Sequence, residues 1–197
     1  MSEHKGWATP GPAGLVALAV ACFGFYAILT GTVKGTAAPV LGIWLIGGFV
    51  VQIAVALIEL KNGHVTGGNV FLFFSAFFML VGGMEFIFKY FVALNAWKVD
   101  FTMDGWLWLP LFIALILWTP AYLKESPAVM SLVVLCLDVT VFFVTFMDMG
   151  KLAHHFAPTA GYFALTAGFG ALWVASAGIL NTAFGKTILP MPGPMIK

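Results

Sequence analysis

The chain contains no arginine; all nine of its basic residues are lysine. Guanidinium groups supply the bidentate contacts to phosphates and base edges in most nucleic-acid interfaces. No basic stripe with interleaved aromatics takes their place. With 9% charged residues and a net charge of +1, no nucleic-acid partner is expected. Cysteine is nearly absent as well: Cys22 and Cys136 both fall inside apolar runs and read as small hydrophobes, not as a disulfide. The four histidines, His4, His64, His154 and His155, lie outside those runs. Paired intramembrane haem ligands are therefore missing, and no Cys/His cluster has metal-ligand spacing. "GGN" at 67–69 and "GFG" at 168–170 are too sparse for a phosphate cradle. The chain does not read as an enzyme, and neither a metal nor a cofactor is expected.

What fills the 197 residues instead is apolar: 61% are hydrophobic and the mean hydropathy is +1.02. A water-soluble domain of this length needs far more polar surface. Apolar windows fall at about 12–31, 38–60, 69–93, 105–123, 127–149 and 160–182, and a membrane span needs roughly 20 residues. The predicted fold is all-α and integral to the bilayer, a single domain over 1–197 with six transmembrane helices and short loops. The start, "MSEHKGWATPGPAGLVALAVACFGF", lacks a strongly basic region, and its apolar run continues to Gly31. It reads as a retained first helix, not a signal peptide. Pro12 and Pro127 are expected in first turns, where a missing N–H costs nothing.

Six spans place both termini on one side. That side carries Lys5, Lys61, Lys124, Lys186 and Lys197; the other carries Lys34, Lys98 and Lys151, with Lys89 near its edge. The positive-inside rule then favours cytoplasmic termini in a multi-pass protein of the cytoplasmic membrane. Trp97, Trp106 and Trp108 surround one loop, as an interfacial aromatic belt would. Ala167, Ala171 and Ala175, with Gly168 and Gly178 nearby, form a small-residue stripe that lets helices approach closely, within a protomer or between protomers.

Polar side chains within the spans are the candidates for function. Gln52 and Glu59 are seven residues apart, almost on one azimuth of the second helix. Glu59 can equally cap that helix or snorkel from its end. Thr9 and Pro10 precede the first helix, whose unpaired N–H groups form a natural resting place for a carboxylate. Asp138 stands mid-span in "VVLCLDVTVFFV", where an aspartate costs about 2.5–3.5 kcal/mol on insertion scales. Burial penalises its charged form, so a neutral carboxyl is expected, bonded to Thr140, Thr145 or a neighbouring helix. It is either a proton-carrying group or an interhelical tie. His154–His155 reads as a solvated loop pair.

Three stretches carry a resemblance: "TPGPAGL" (9–15), "GGFVVQIAVALIELKNGHVTGGNVFLFFSAFF" (47–78) with Gly47, Gly48, Gln52, Glu59 and Gly63 at distinctive intervals, and "LNTAFGKTILP" (180–190). Together with six spans in this length, they resemble the acetate uptake transporter family, the succinate–acetate permease group. The resemblance implies a homohexamer of six-helix protomers. Each protomer would have its own pathway for acetate and related small carboxylates, coupled to protons. It also implies a hydrophobic constriction at Leu18, Phe74 and Leu137, and a pathway or gating role for Gln52 and Glu59. Two departures stand out. Thr9 takes the place of the family's asparagine, and the constriction's usual Phe–Tyr–Leu becomes Leu–Phe–Leu.

Projection at 100° per residue places Glu85 on the stripe of Phe74 and Asp148 on that of Leu137, each eleven residues and about 16 Å away. Both acids are then expected at an outer mouth, with Lys89 neutralising Glu85 in the favourable order and Lys151 serving Asp148. The alternative is that all four are solvated interface residues. Asp138, next to Leu137 in sequence, would border the constriction. A passive channel for the same solutes needs the same residues as a coupled carrier, and a non-transporting membrane scaffold is the reading from another class. Succinate, lactate and propionate stand beside acetate as candidate substrates.

Overall fold

A computed structural model describes residues 7–197. It contains six helices long and apolar enough to cross a membrane: α1 (Gly11–Leu29), α2 (Ala38–Lys61), α3 (Val65–Leu94), α4 (Thr102–Glu125), α5 (Ala128–Asp148) and α6 (Ala157–Phe184). No strand occurs among the described residues. The ends follow local chemistry. Pro12, Pro39 and Pro158 lie in the first turns of α1, α2 and α6, where no intrahelical N–H is needed. Pro127 instead sits one residue outside α5, as its N-cap. The end of α2 is fixed by Gly63 at φ 85°, with His64 N–H bonded to the Glu59 carbonyl at 2.9 Å. This six-to-one closure needs a left-handed residue that glycine adopts without strain.

The helices pack in ring order, α1 on α2 and α6, α2 on α3, and α4 on α5, with α5 on α6; contact is sparsest between α3 and α4. The small-residue stripe resolves as packing within the protomer. Ala167, Ala171 and Ala175 are buried, and a side chain at Gly168 would meet Phe23 and Cys22 of α1 at about 3 Å. Helix α3 is not uniform. Phe74–Val81 is π-helical, and the extra residue that a π turn carries changes the azimuth of everything beyond it. The 100° projection from Phe74 to Glu85 therefore does not hold along α3, whereas α5 is uninterrupted from Leu137 to Asp148.

Candidate functional site

Leu18, Phe74 and Leu137 come from α1, α3 and α5, alternate helices of the ring, and join one buried cluster in its interior. They line two small cavities in common, each of about 30 Å³, room enough for a water. The first cavity is walled further by Cys22, Phe25, Phe78, Trp108 and Val144. Gln52, Phe71, Leu115 and Tyr122 help to wall the second. The three residues thus stand between two apolar spaces, and neither wall contains a carboxylate, lysine or histidine.

Gln52 is almost fully buried; its Nε2 donates to the Gly14 carbonyl at 3.5 Å, while its Oε1 finds no partner among the described residues. Glu59 is also buried, but it lines neither cavity. Its carboxylate accepts from Thr9 Oγ1 and pairs with His64 Nδ1. Thr9 Oγ1 in turn accepts from the Gly11 N–H at 3.2 Å. The carboxylate held at the start of α1 is therefore the chain's own. Pro10 is the N-cap residue, and its carbonyl accepts from Ala13 N–H at 2.9 Å. Just upstream, Trp7 exchanges two hydrogen bonds with Asn62 and lies under Lys61 Nζ, 4.0 Å from the ring centroid. The pre-helix segment is thus strapped across the end of α2.

Asp138 is buried and lines neither cavity. Its partner is Thr119 of α4, at 2.7 Å. The two threonines on its own helix do not serve it: Thr140 donates to the Cys136 carbonyl at 2.9 Å, and Thr145 Oγ1 is unpartnered among the described residues. Thr140, two residues from Asp138, gives its hydroxyl to the carbonyl one turn back, as threonines within helices commonly do.

At the far end of α3, Lys89 Nζ pairs with Glu85 and, at 2.8 Å, with Asp104 of α4. Lys151 is exposed and makes no ion pair among the described residues. Asp104 stands one helical turn before Trp108, and Asp148 one turn beyond Val144, both of which line the first cavity. Trp97 and Trp106 are exposed as a belt requires, but Trp108 turns inward against Phe78, ring centroids 5.9 Å apart.

The third sequence motif folds back on itself. Asn181 accepts from the N–H groups of Ile188 and Leu189 at 2.7 and 3.0 Å and donates to the Leu189 carbonyl. The tail continues to α5, where Ala128 N–H donates to the Pro192 carbonyl at 3.0 Å. Sequence reasoning did not single out Thr119, Asp104 or Phe78. Phe78 carried a readable signal, one turn after Phe74; the other two meet their partners across helices.

No curated protein matches this chain. A solved structure described as "Structure of the bacterial acetate channel SatP" shares its fold, with a TM-score of 0.79 and 21% sequence identity over 94% of this chain and 99% of that one. Six membrane-capable helices on that fold make this a multi-pass membrane protein. The model of the GPR1/FUN34/yaaH family matches residues 1–193, and the chain belongs to that family, the acetate uptake transporters.

Proposed function

We propose that the chain passes acetate and related small monocarboxylates through the interior of each protomer, with Leu18, Phe74 and Leu137 as the constriction. The observation that carries this reading is the sharing of these three side chains by two separate cavities along the bundle. An apolar constriction raises the barrier for a hydrated anion and favours a small acid that sheds water easily. Gln52 supplies a polar group on one side of it, and Glu59, held by Thr9 beside Pro10, shapes that end of the route. Lys89, Glu85 and Asp148, with Asp104, form the opposite mouth. The bundle is one domain, placed in the cytoplasmic membrane with its termini inside. It assembles as a homohexamer through apolar grooves that run beside α1, where Val16, Val40, Ile43 and Trp44 stay exposed on the protomer. Membership of the acetate transporter family weighs against the scaffold reading.

Proton coupling is the first form of this reading, with succinate as a further substrate. A passive channel is favoured by one observation: the cavity walls hold no carboxylate or histidine to carry a proton past the constriction. Labelled-acetate flux into proteoliposomes, with and without an imposed pH gradient, decides. Flux above protein-free liposomes that responds to the pH gradient and not to an imposed membrane potential establishes the coupled carrier, flux driven by the potential at equal pH establishes the anion channel, and no flux above that control overturns transport.

A further inference from the structure

The walls of the first cavity contain more than the constriction. Phe25 of α1, Phe78 of α3 and Trp108 of α4 all face it. Phe25 stacks on Phe78 with centroids 5.2 Å apart and 27° between planes, and Phe78 meets Trp108 edge-on at 5.9 Å and 70°. A third contact ties these rings to the constriction, since Phe74 and Phe78 meet edge-on at 5.5 Å. The three rings come from three helices and form one continuous apolar bridge across the bundle.

Their depth is set by helix geometry. Phe25 lies seven residues beyond Leu18, about 10 Å along α1. Phe78 is one turn beyond Phe74. On antiparallel α4, Trp108 precedes Leu115, which walls the second cavity, by seven residues. One turn further out on α4 is Asp104, in the ion-paired group with Lys89 and Glu85. The bridge therefore stands between the charged mouth and the constriction.

We propose that Phe25, Phe78 and Trp108 form a second gate, so that the first cavity is closed at both ends. This rests on the transport reading above, and it assigns these rings a part in substrate selection. A solute arriving from the charged mouth meets the bridge before Leu18, Phe74 and Leu137. Both barriers must then relax for passage, and widening only one opens the route in part.

The sequence supplies a reporter. Cys22 is buried, free, and part of the same cavity wall, and Cys136 is the chain's other cysteine. In a Cys136→Ser background, reconstituted protein is treated with a small anionic methanethiosulfonate. The parent labels slowly at Cys22. Trp108→Ala and Phe78→Ala each raise the labelling rate several-fold, and butyrate flux rises relative to acetate flux. Should either truncation fail to fold, Phe78→Leu and Trp108→Leu keep apolar bulk while breaking the ring contacts, and the same acceleration is expected. Labelling at the parent rate in folded variants, with selectivity unchanged, overturns the second gate. Accelerated labelling in a protein with no acetate flux overturns the transport reading and leaves the closure standing.

Discussion

Thr119 of α4 and Asp138 of α5 are joined side chain to side chain at 2.7 Å in the buried interior. Thr119 Oγ1 also lies 2.9 Å from the Leu115 carbonyl one turn back. A hydroxyl has one hydrogen to give. If it goes to the carbonyl, as threonines inside helices commonly arrange, Asp138 must supply the hydrogen toward Thr119. A neutral carboxyl does this, and a carboxylate does not. Asp138 Oδ1 has no partner among the described residues, a position that a charged oxygen would tolerate poorly.

We propose that Asp138 is an interhelical tie, its carboxyl joined to Thr119 across α4 and α5. Asp138→Asn keeps a hydrogen-bonding side chain and is expected to retain acetate flux, including any response to an imposed pH gradient. Thr119→Val strands the carboxyl and should lower stability by about 1–3 kcal/mol, read as a lower melting temperature in detergent. Loss of gradient-driven uptake in a stable Asp138→Asn protein would instead make Asp138 the proton carrier.

How much of this was legible beforehand follows from the physics of each signal. Six helices were readable because lipid demands long apolar runs and short breaks. Gln52 and the trio at Leu18, Phe74 and Leu137 were singled out by motif, and motifs say nothing of the space around them. Trp108 was misplaced into the interfacial belt because its neighbours Trp97 and Trp106 do face outward; only the helical phase of α4 turns it in. Thr119 and Asp104 were missed because their partners are on other helices, where no local spacing rule reaches. The π-helical stretch from Phe74 to Val81 has no sequence mark of its own, and a projection that assumes a uniform helix fails there.

Lys89 holds two acids, Glu85 on its own helix and Asp104 across the sparse α3–α4 junction. Lys89→Met removes the cation and leaves like charges close together at the mouth. Carboxylate influx should fall at neutral pH, and the deficit should shrink as pH drops, because protonation of the acids removes their repulsion for an anion. Asp104→Asn with Lys89→Met should recover part of the loss. Equal deficits at every pH would show that the group acts only by joining α3 to α4.

Glycine positions separate backbone approach from motif membership. A Cβ on Gly105 would lie 2.2 Å from the Met149 backbone N, whereas one on Gly47 meets nothing within 4 Å. Gly105→Ala should force α4 away from α5 and destabilise by about 1–3 kcal/mol, as overpacking does. Gly47→Ala should leave the protomer's own packing unchanged. Melting temperatures of the two variants, measured side by side, check the contrast.

The proposed constriction bears most directly on selectivity. Leu18 stands where the family's usual pattern has a ring, so the cross-section depends on Phe74 and on how closely Leu137 packs against it. Leu18→Ala widens the passage from α1 without adding a polar group. Acids larger than acetate gain most, because they are the ones whose dehydration and contact are limited by width. Propionate flux should rise on the order of tenfold relative to acetate, the rate equivalent of about 1.4 kcal/mol of barrier. If the second gate is present, that gain is reached only when Leu18→Ala is combined with Trp108→Ala, and the single variant shows a smaller rise. Counterflow of labelled propionate against labelled acetate measures the ratio directly. An unchanged ratio in the double variant would place the selective step elsewhere than at Leu18.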